Sequence, residues 1–590
     1  MPTVILTGPP VPGSPLQDEL RSLGFDVRPV TGPQDTATAL AAVPAGERVA
    51  VVDSGFVGHP HALRLALTDP RFDACAVTGA LAVQAGARAA LDEAAALAPA
   101  GPGPYADRLA AAVEAAGTTV QRPELGSLVA AVPDGEAQRA AALAAVAAVD
   151  DEAVRLRTAV KSRDGFFTTF FISPYSRYIA RWCARRGLTP NQVTTASLIT
   201  ALIAAGCAAT GERWGYVTAG VLLLVSFVLD CTDGQLARYS LQYSTMGAWL
   251  DATFDRAKEY SFYAGLALGA AANGDDVWAL ALGAMILMTC RHVVDFAFNE
   301  ANHDATANTS PTAALSDRLD SVGWTVWVRR MIILPIGERW AMIAVLTALT
   351  SPRTVFYALL VGCAFGALYT TAGRVLRSLT RKARRTDRAA QALADLADCG
   401  PLASVGTDLA KGRPVAPLAM ALIGTVLVVG DAAVRPFGTA ALIGSAVFYV
   451  IAAGAAVSRP LKGALDWLIP PVFRCAEYVT VLALAARADV PGALPAAFGL
   501  VAAVAYHHYD TVYRIRGGSG APPRWLVWTI GGQDGRVLLA VVLAAVLPRD
   551  TLPVAFTALA VFVALVVLVE SIRFWVSSGA PAVHDEGEPA

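Results

Sequence analysis

The stretch from Asp230 to Asp255, DCTDGQLARYSLQYSTMGAWLDATFD, sets four aspartates between long apolar runs. A charged side chain near the centre of a bilayer costs about 2.5–3.5 kcal/mol on insertion scales, so carboxylates in or beside membrane-length helices need partners, and a functional site is the first reading. Asp230 and Asp233 fall i, i+3 on one helix face, with Ala237 and Arg238 farther along that side. Asp251 and Asp255 fall i, i+4 on the next helix, with Gly247 one turn before them. A chain reversal between Tyr239 and Met246 brings the two faces together, and only cations relieve the repulsion of the converging carboxylates. Mg2+ or Mn2+ suits such an all-oxygen set better than Zn2+, because no His or Cys joins the pattern. The competing reading, carboxylates on solvated helices, fits poorly with the apolar flanks.

Those flanks recur along the chain. At 590 residues, 55% of them hydrophobic, the protein is too long for one domain and too apolar for a soluble one. The expected fold class is a multispanning α-helical membrane protein, a six-helix core plus further spans, with an N-terminal soluble α/β domain. A formal net charge of −1 leaves no basic field that would suit nucleic acid. The eight cysteines occur singly, without CxxC pairs, so neither a zinc site nor a disulfide framework is indicated.

The residues Asp230, Asp233, Gly234, Ala237, Arg238, Gly247, Asp251 and Asp255 match the pattern D-x2-D-G-x2-A-R-x8-G-x3-D-x3-D at every fixed position, and here the sequence resembles the CDP-alcohol phosphotransferases. The resemblance implies transfer of a substituted phosphate from a CDP-linked donor to an alcohol, with release of CMP. It implies two Mg2+ or Mn2+ ions, with Asp230, Asp233 and Asp251 as ligands and Asp255 as a ligand or the general base. Gly234, Ala237, Arg238 and Gly247 would face the CDP group. Thr189-Pro190-Asn191 reads locally as a helix start. With Thr194 it also fits a TPN-x-x-T element of the family, which adds Asn191 and Thr194 to the CDP side. Lys161, Asp164, Gly165, Ser176 and Arg177 resemble the segment that leads into the core in the phosphoinositol-type branch, where a cytidylyltransferase domain is often fused in front. The chain departs from that branch at Ile172-Ser173, where an Asn-Arg pair is expected. The family also implies a homodimer.

In chain order, residues 1–155 read as a cytoplasmic α/β domain, since the N-terminus lacks the basic region of a signal peptide. The turn Gly8 to Gly13 carries three prolines, which remove N–H groups that a phosphate loop needs, so a plain turn and a nucleotidyltransferase-like fold without catalysis are expected. Asp53 ends a strand-like run as a polar terminus, with metal binding as the alternative. Residues 156–380 form the phosphotransferase domain, with spans expected at Val193–Thr210, Trp214–Asp230, Met246–Ala271, Val277–Phe298, Arg339–Thr350 and Pro352–Val375. Arg318 to Leu334 is expected along the membrane interface. Residues 381–412 read as a polar linker, 413–577 as a second membrane section of unknown function with six spans, and 578–590 as a disordered tail. Arginines before the first and after the sixth span place the site and the N-terminal domain on the cytoplasmic side of a cell membrane.

The donor expected for a site between spans is CDP-diacylglycerol, with a CDP-linked polar alcohol as the alternative. Arg291, Arg339 and Arg374 lie in or beside later spans, and a guanidinium there suits a phosphate already on the acceptor, so inositol phosphate is expected first and glycerol phosphate second. In the second section Arg474, Glu477, His507, His508, Asp510, Arg514 and Arg536 form a polar set; His507 and His508 with Asp510 read equally as a second site or as an anchor of paired charges. Two rival functions remain: a lipid transporter or scaffold that binds metal without turnover, and a bifunctional cytidylyltransferase and phosphotransferase.

Overall fold

Short β-branched runs alternate with Ala-rich stretches at the start of the chain, and they fold as strands and helices of a small layered unit. The computed structural model describes residues 2–577 apart from 45, 70–71, 98, 100, 162–163, 243, 304–326, 328–330, 381–382 and 518. The chain divides into two compact units: Met1–Ser162 with Tyr175–Pro190 and Thr232–Gly247, and Arg163–Pro174 with Asn191–Cys231 and Ala248–Ala590.

In the first unit the strands are β1 (Thr3–Thr7), β2 (Asp26–Val30), β3 (Val49–Asp53), β4 (Val57–Gly58), β5 (Ala74–Val77), β6 (Ala80–Val83), β7 (Val120–Gln121) and β8 (Ala130–Ala131). Six make a mixed sheet in the order β2-β1-β3-β6-β5-β7, and β4 pairs with β8. Successive side chains of a strand point to opposite faces. Ile5, Val49 and Val51 therefore pack with Leu91, Leu109 and Val113, whereas Val4, Leu6, Ala50 and Val52 pack with Leu16, Leu20, Leu63 and Leu67. Both faces are covered, which is why β1 and β3 read as continuous apolar runs. The Asp53 carboxylate accepts hydrogen bonds from the N–H groups of Tyr105 and Ala106 at 3.2 and 3.0 Å, and so caps the helix Tyr105–Ala115. Burial pushes that carboxyl up while the two N–H groups hold it down. The structure thus gives Asp53 the role of a polar strand end. The Ser54 hydroxyl donates to the Pro9 carbonyl at 2.7 Å and closes the Pro-rich turn after β1.

The rest of the chain is helical. Its first six long helices are α1 (Pro190–Ala209), α2 (Arg213–Ser240), α3 (Thr245–Ala272), α4 (Trp278–Asn302), α5 (Ile336–Leu349) and α6 (Pro352–Thr380), one for each span expected in the core. Small residues let two of them touch. A Cβ on Gly265 or Gly269 of α3 would fall on the carbonyl oxygen of Ala205 or Ala208 of α1. The interfacial segment expected at 318–334 lies mostly outside the described residues.

The stretch 381–412, expected as a polar linker, differs. It contains α7 (Asp387–Leu396) and α8 (Ala403–Ala410). Ala389, Leu393, Leu396 and Ala397 make a buried stripe at helical spacing, and α7 packs on α4. Asp534 accepts from the N–H groups of Gly400 and Ala403 at 2.5 and 2.9 Å and caps the start of α8. The second section continues with α9 (Pro417–Val434), α10 (Ala440–Ala456), α11 (Ile469–Ala488), α12 (Ala493–Arg516), α13 (Gly532–Val546) and α14 (Leu552–Ser577). It packs on the core through Trp278 against Phe498 and Phe298 against Trp467, with ring centroids 5.6 and 5.2 Å apart. Among the described residues, eight helices are long and apolar enough to cross a membrane; α3 and α12, which carry the polar clusters described next, are not among them. The protein is a multi-pass membrane protein.

Candidate metal and substrate site

The apolar length of α2 ends in a polar turn that carries Asp230 and Asp233. The chain then reverses through Leu241 at φ 53°, and the Ser244 hydroxyl accepts from the Gly247 N–H at 2.9 Å as α3 begins. This reversal is the one the spacing required. It brings ligand oxygens of Asp230, Asp233 and Asp251 within 4.8 Å of one another. Three carboxylate oxygens at that spacing fit one hard divalent cation.

Asp255, one turn farther along α3, has a different neighbour. The Lys258 ammonium lies 2.9 Å from its carboxylate, pairs also with Asp230, and is 3.2 Å from the Ser197 hydroxyl of α1. Lys258 is fully buried, 5.4 Å from the centre of the Trp340 ring. Sequence reading missed it, because a lysine three residues after an aspartate looks like any surface helix pair.

Glu259 follows on α3 and carries two cations. Arg256 lies 3.0 Å and Arg339 3.1 Å from its carboxylate, and Tyr263 donates to it at 2.7 Å. Arg374 pairs with Asp295, which lies four residues after Arg291 on α4. Arg339 and Arg374, expected at an acceptor phosphate, are thus held by carboxylates of the chain itself, and Arg291 is buried on α4. On the donor side, Asn191 and Thr194 lie in the first turn and a half of α1, with Thr194 buried. The Arg238 guanidinium donates to the Ala159 carbonyl at 2.6 Å and lies 3.4 Å from where a Cβ on Gly234 would sit. Gly247 stands at the start of α3, and Ala237 is buried on α2.

The second section holds another buried cluster. His507 and His508 of α12 lie 3.0 and 3.2 Å from the two carboxylate oxygens of Asp398. Arg536 spans Asp398 and Glu477 at 2.7 and 2.5 Å, and Arg474 lies 3.1 Å from Glu477. Two guanidiniums meet two carboxylates here, and Asp398, His507 and His508 offer three ligand atoms within 4.8 Å of one another. The partner of the histidines is Asp398, from the stretch read as a linker, and not Asp510. Asp510 instead pairs with Arg514 at 2.8 Å and accepts from Ser571 and Trp575 of α14 at 2.8 and 2.7 Å.

Comparison with known proteins follows the same division. Residues 187–369 match the family model described as CDP-alcohol phosphatidyltransferase, and residues 387–590 match a family of unknown function, DUF5941. The archaetidylinositol phosphate synthase of Pyrococcus horikoshii is 32% identical over 115 residues, which is 19% of this chain and 58% of that protein. The phosphatidylinositol phosphate synthase of Streptomyces avermitilis is 29% identical over 130 residues, 21% of this chain and 51% of that protein. A protein of Aquifex aeolicus named bifunctional IPC transferase and DIPP synthase is 31% identical over 114 residues, 19% of this chain and 26% of that protein. The matched regions therefore span at most about three-fifths of these relatives. Residues 187–369 are thus similar to the CDP-alcohol phosphatidyltransferase family, and relatives matched there are named as inositol phosphate synthases.

Proposed function

We propose that the protein transfers a substituted phosphate group from a CDP-linked lipid, CDP-diacylglycerol first, to a polar alcohol and releases CMP. One observation carries the reading: the signature residues of α2 and α3 converge, with Asp230, Asp233 and Asp251 within 4.8 Å. The acceptor oxygen forms a bond to the phosphorus that bears the lipid alkoxide, the bond from that phosphorus to the CMP oxygen breaks, and CMP leaves with the electron pair. The hydroxyl proton passes to a carboxylate, for which Asp255 is the candidate. A divalent cation held by Asp230, Asp233 and Asp251 would neutralise the diphosphate and the leaving phosphate when bound. Asn191, Thr194, Gly234, Ala237, Arg238 and Gly247 border the CDP group in this reading. The names of the relatives favour inositol phosphate as acceptor, ahead of glycerol phosphate. Arg291, Arg339 and Arg374 are the candidate partners of its phosphate. The site faces the cytoplasm, and the working unit is a homodimer.

Retention of every signature position argues against a transporter or scaffold, which has no use for the full acid set. The Pro-rich turn after β1, closed by Ser54, argues against a second, cytidylyltransferase activity. The test is CMP release by the purified full chain with CDP-diacylglycerol and a panel of alcohols. Asp230→Asn, Asp233→Asn or Asp251→Asn should cut the rate by at least about 100-fold while the protein stays folded. Parent-like release by these variants in the presence of EDTA would overturn the assignment.

A further inference from the structure

The carboxylate set contains a cation of its own. Lys258 reaches inward from α3, and its ammonium has three N–H donors and three oxygen neighbours: Asp230 of α2, Asp255 one turn before it on α3, and Ser197 of α1. Ser197 and Asp230 accept hydrogen bonds and Asp255 adds an ion pair, so the side chain is held by its partners. Trp340 of α5 closes the remaining side, and no part of the lysine reaches the surface. Swinging the ammonium away would strip it of all three acceptors inside a packed helix interface, which a buried charge does not tolerate.

We infer that this chain binds one divalent cation where its resemblance implies two, and that the Lys258 ammonium permanently takes the place of the second. The inference rests on the proposed metal site. The three-carboxylate cluster Asp230, Asp233 and Asp251 shares Asp230 with the ammonium and fits one ion. A second ion needs Asp255 and a shared carboxylate, and both candidates for that pairing, Asp255 and Asp230, are the two that Lys258 holds. A dication there would lie within a few ångströms of a fixed positive charge that already satisfies the same oxygens. Lys258 is then a positioning residue. It holds Asp255 at a fixed distance from the metal-binding face and keeps the reaction dependent on a single ion.

Mn2+ alone is the probe, added to the full chain purified in detergent, with bound metal counted by elemental analysis and its spectrum read by electron paramagnetic resonance. The expected result is one Mn2+ per chain with a mononuclear spectrum, unchanged in Lys258→Arg. Lys258→Met, of similar length and no charge, should rise to two Mn2+ per chain with the broadened spectrum of a coupled pair. Two coupled ions in the parent protein, or a folded Lys258→Met that still binds one, would overturn the inference and leave the proposed function standing. A parent protein that binds no Mn2+ would overturn both. If Lys258→Met fails to fold, the count in the parent and in Lys258→Arg still decides.

Discussion

Glu259 answers for two guanidiniums, Arg256 and Arg339, inside a packed helix layer. Removing one member of a buried ion group leaves the others uncompensated, at a cost of about 3–5 kcal/mol. Glu259→Gln should therefore lower the unfolding temperature of the detergent-solubilised protein markedly, and Arg339→Ala should do the same. The second variant also separates two roles. If Arg339 serves Glu259, the folded fraction of Arg339→Ala keeps the parent KM for the acceptor alcohol; a selective rise in that KM would return Arg339 to the acceptor site. At this scale the aspartates were legible because their type and spacing are both unusual between apolar runs. Lys258, Glu259 and Asp398 were not, since each has the composition of an ordinary helix surface and only its partners on distant helices reveal its role.

Among the elements, α1 and α3 come close enough for their backbones to touch. Gly265 and Gly269 permit it, with carbonyl oxygens of α1 where their side chains would be. Without a hydrophobic force between helices in lipid, such close backbone packing supplies much of the association. Gly269→Val should push α3 away and yield little monodisperse protein on size exclusion; near-parent yield and Mn2+ binding would show that the contact is dispensable. The same element scale explains the misread linker. In α7 the apolar stripe is built mostly of alanines between Asp387, Arg388 and Asp395, so its sum reads polar although its period is helical. The buried face of Ala389, Leu393 and Leu396 was present in the sequence, but what covers it was not.

Over the whole molecule, the second membrane section is part of one packed helical unit with the core and not an appendage. His292 of α4 meets Tyr509 of α12 through a hydrogen bond, and Arg256, next to Asp255, lies 5.2 Å from the same tyrosine ring. Trp249 of α3 stacks near Trp575 of α14 at 6.2 Å. Ending the chain after residue 386 would uncover Trp278, Phe298 and the polar group around Arg256 together. The truncated protein should aggregate or unfold at a much lower temperature than the full chain, as read by fluorescence-detected size exclusion. A stable, CMP-releasing truncation would instead make the second section an independent domain.

The sequence by itself determined the paired aspartates, the positions of the core helices and the membrane class, because all three follow from local quantities: residue type, fixed spacing and run length. Tertiary structure alone decided which charges meet. Lys258 meets both Asp255 and Asp230, Asp295 answers Arg374, and Asp398 holds His507 and His508 across more than a hundred residues of chain. In a low-dielectric helix layer every charge must find a partner. The sequence states that requirement, but the choice among several possible partners depends on helix crossings that no local pattern encodes.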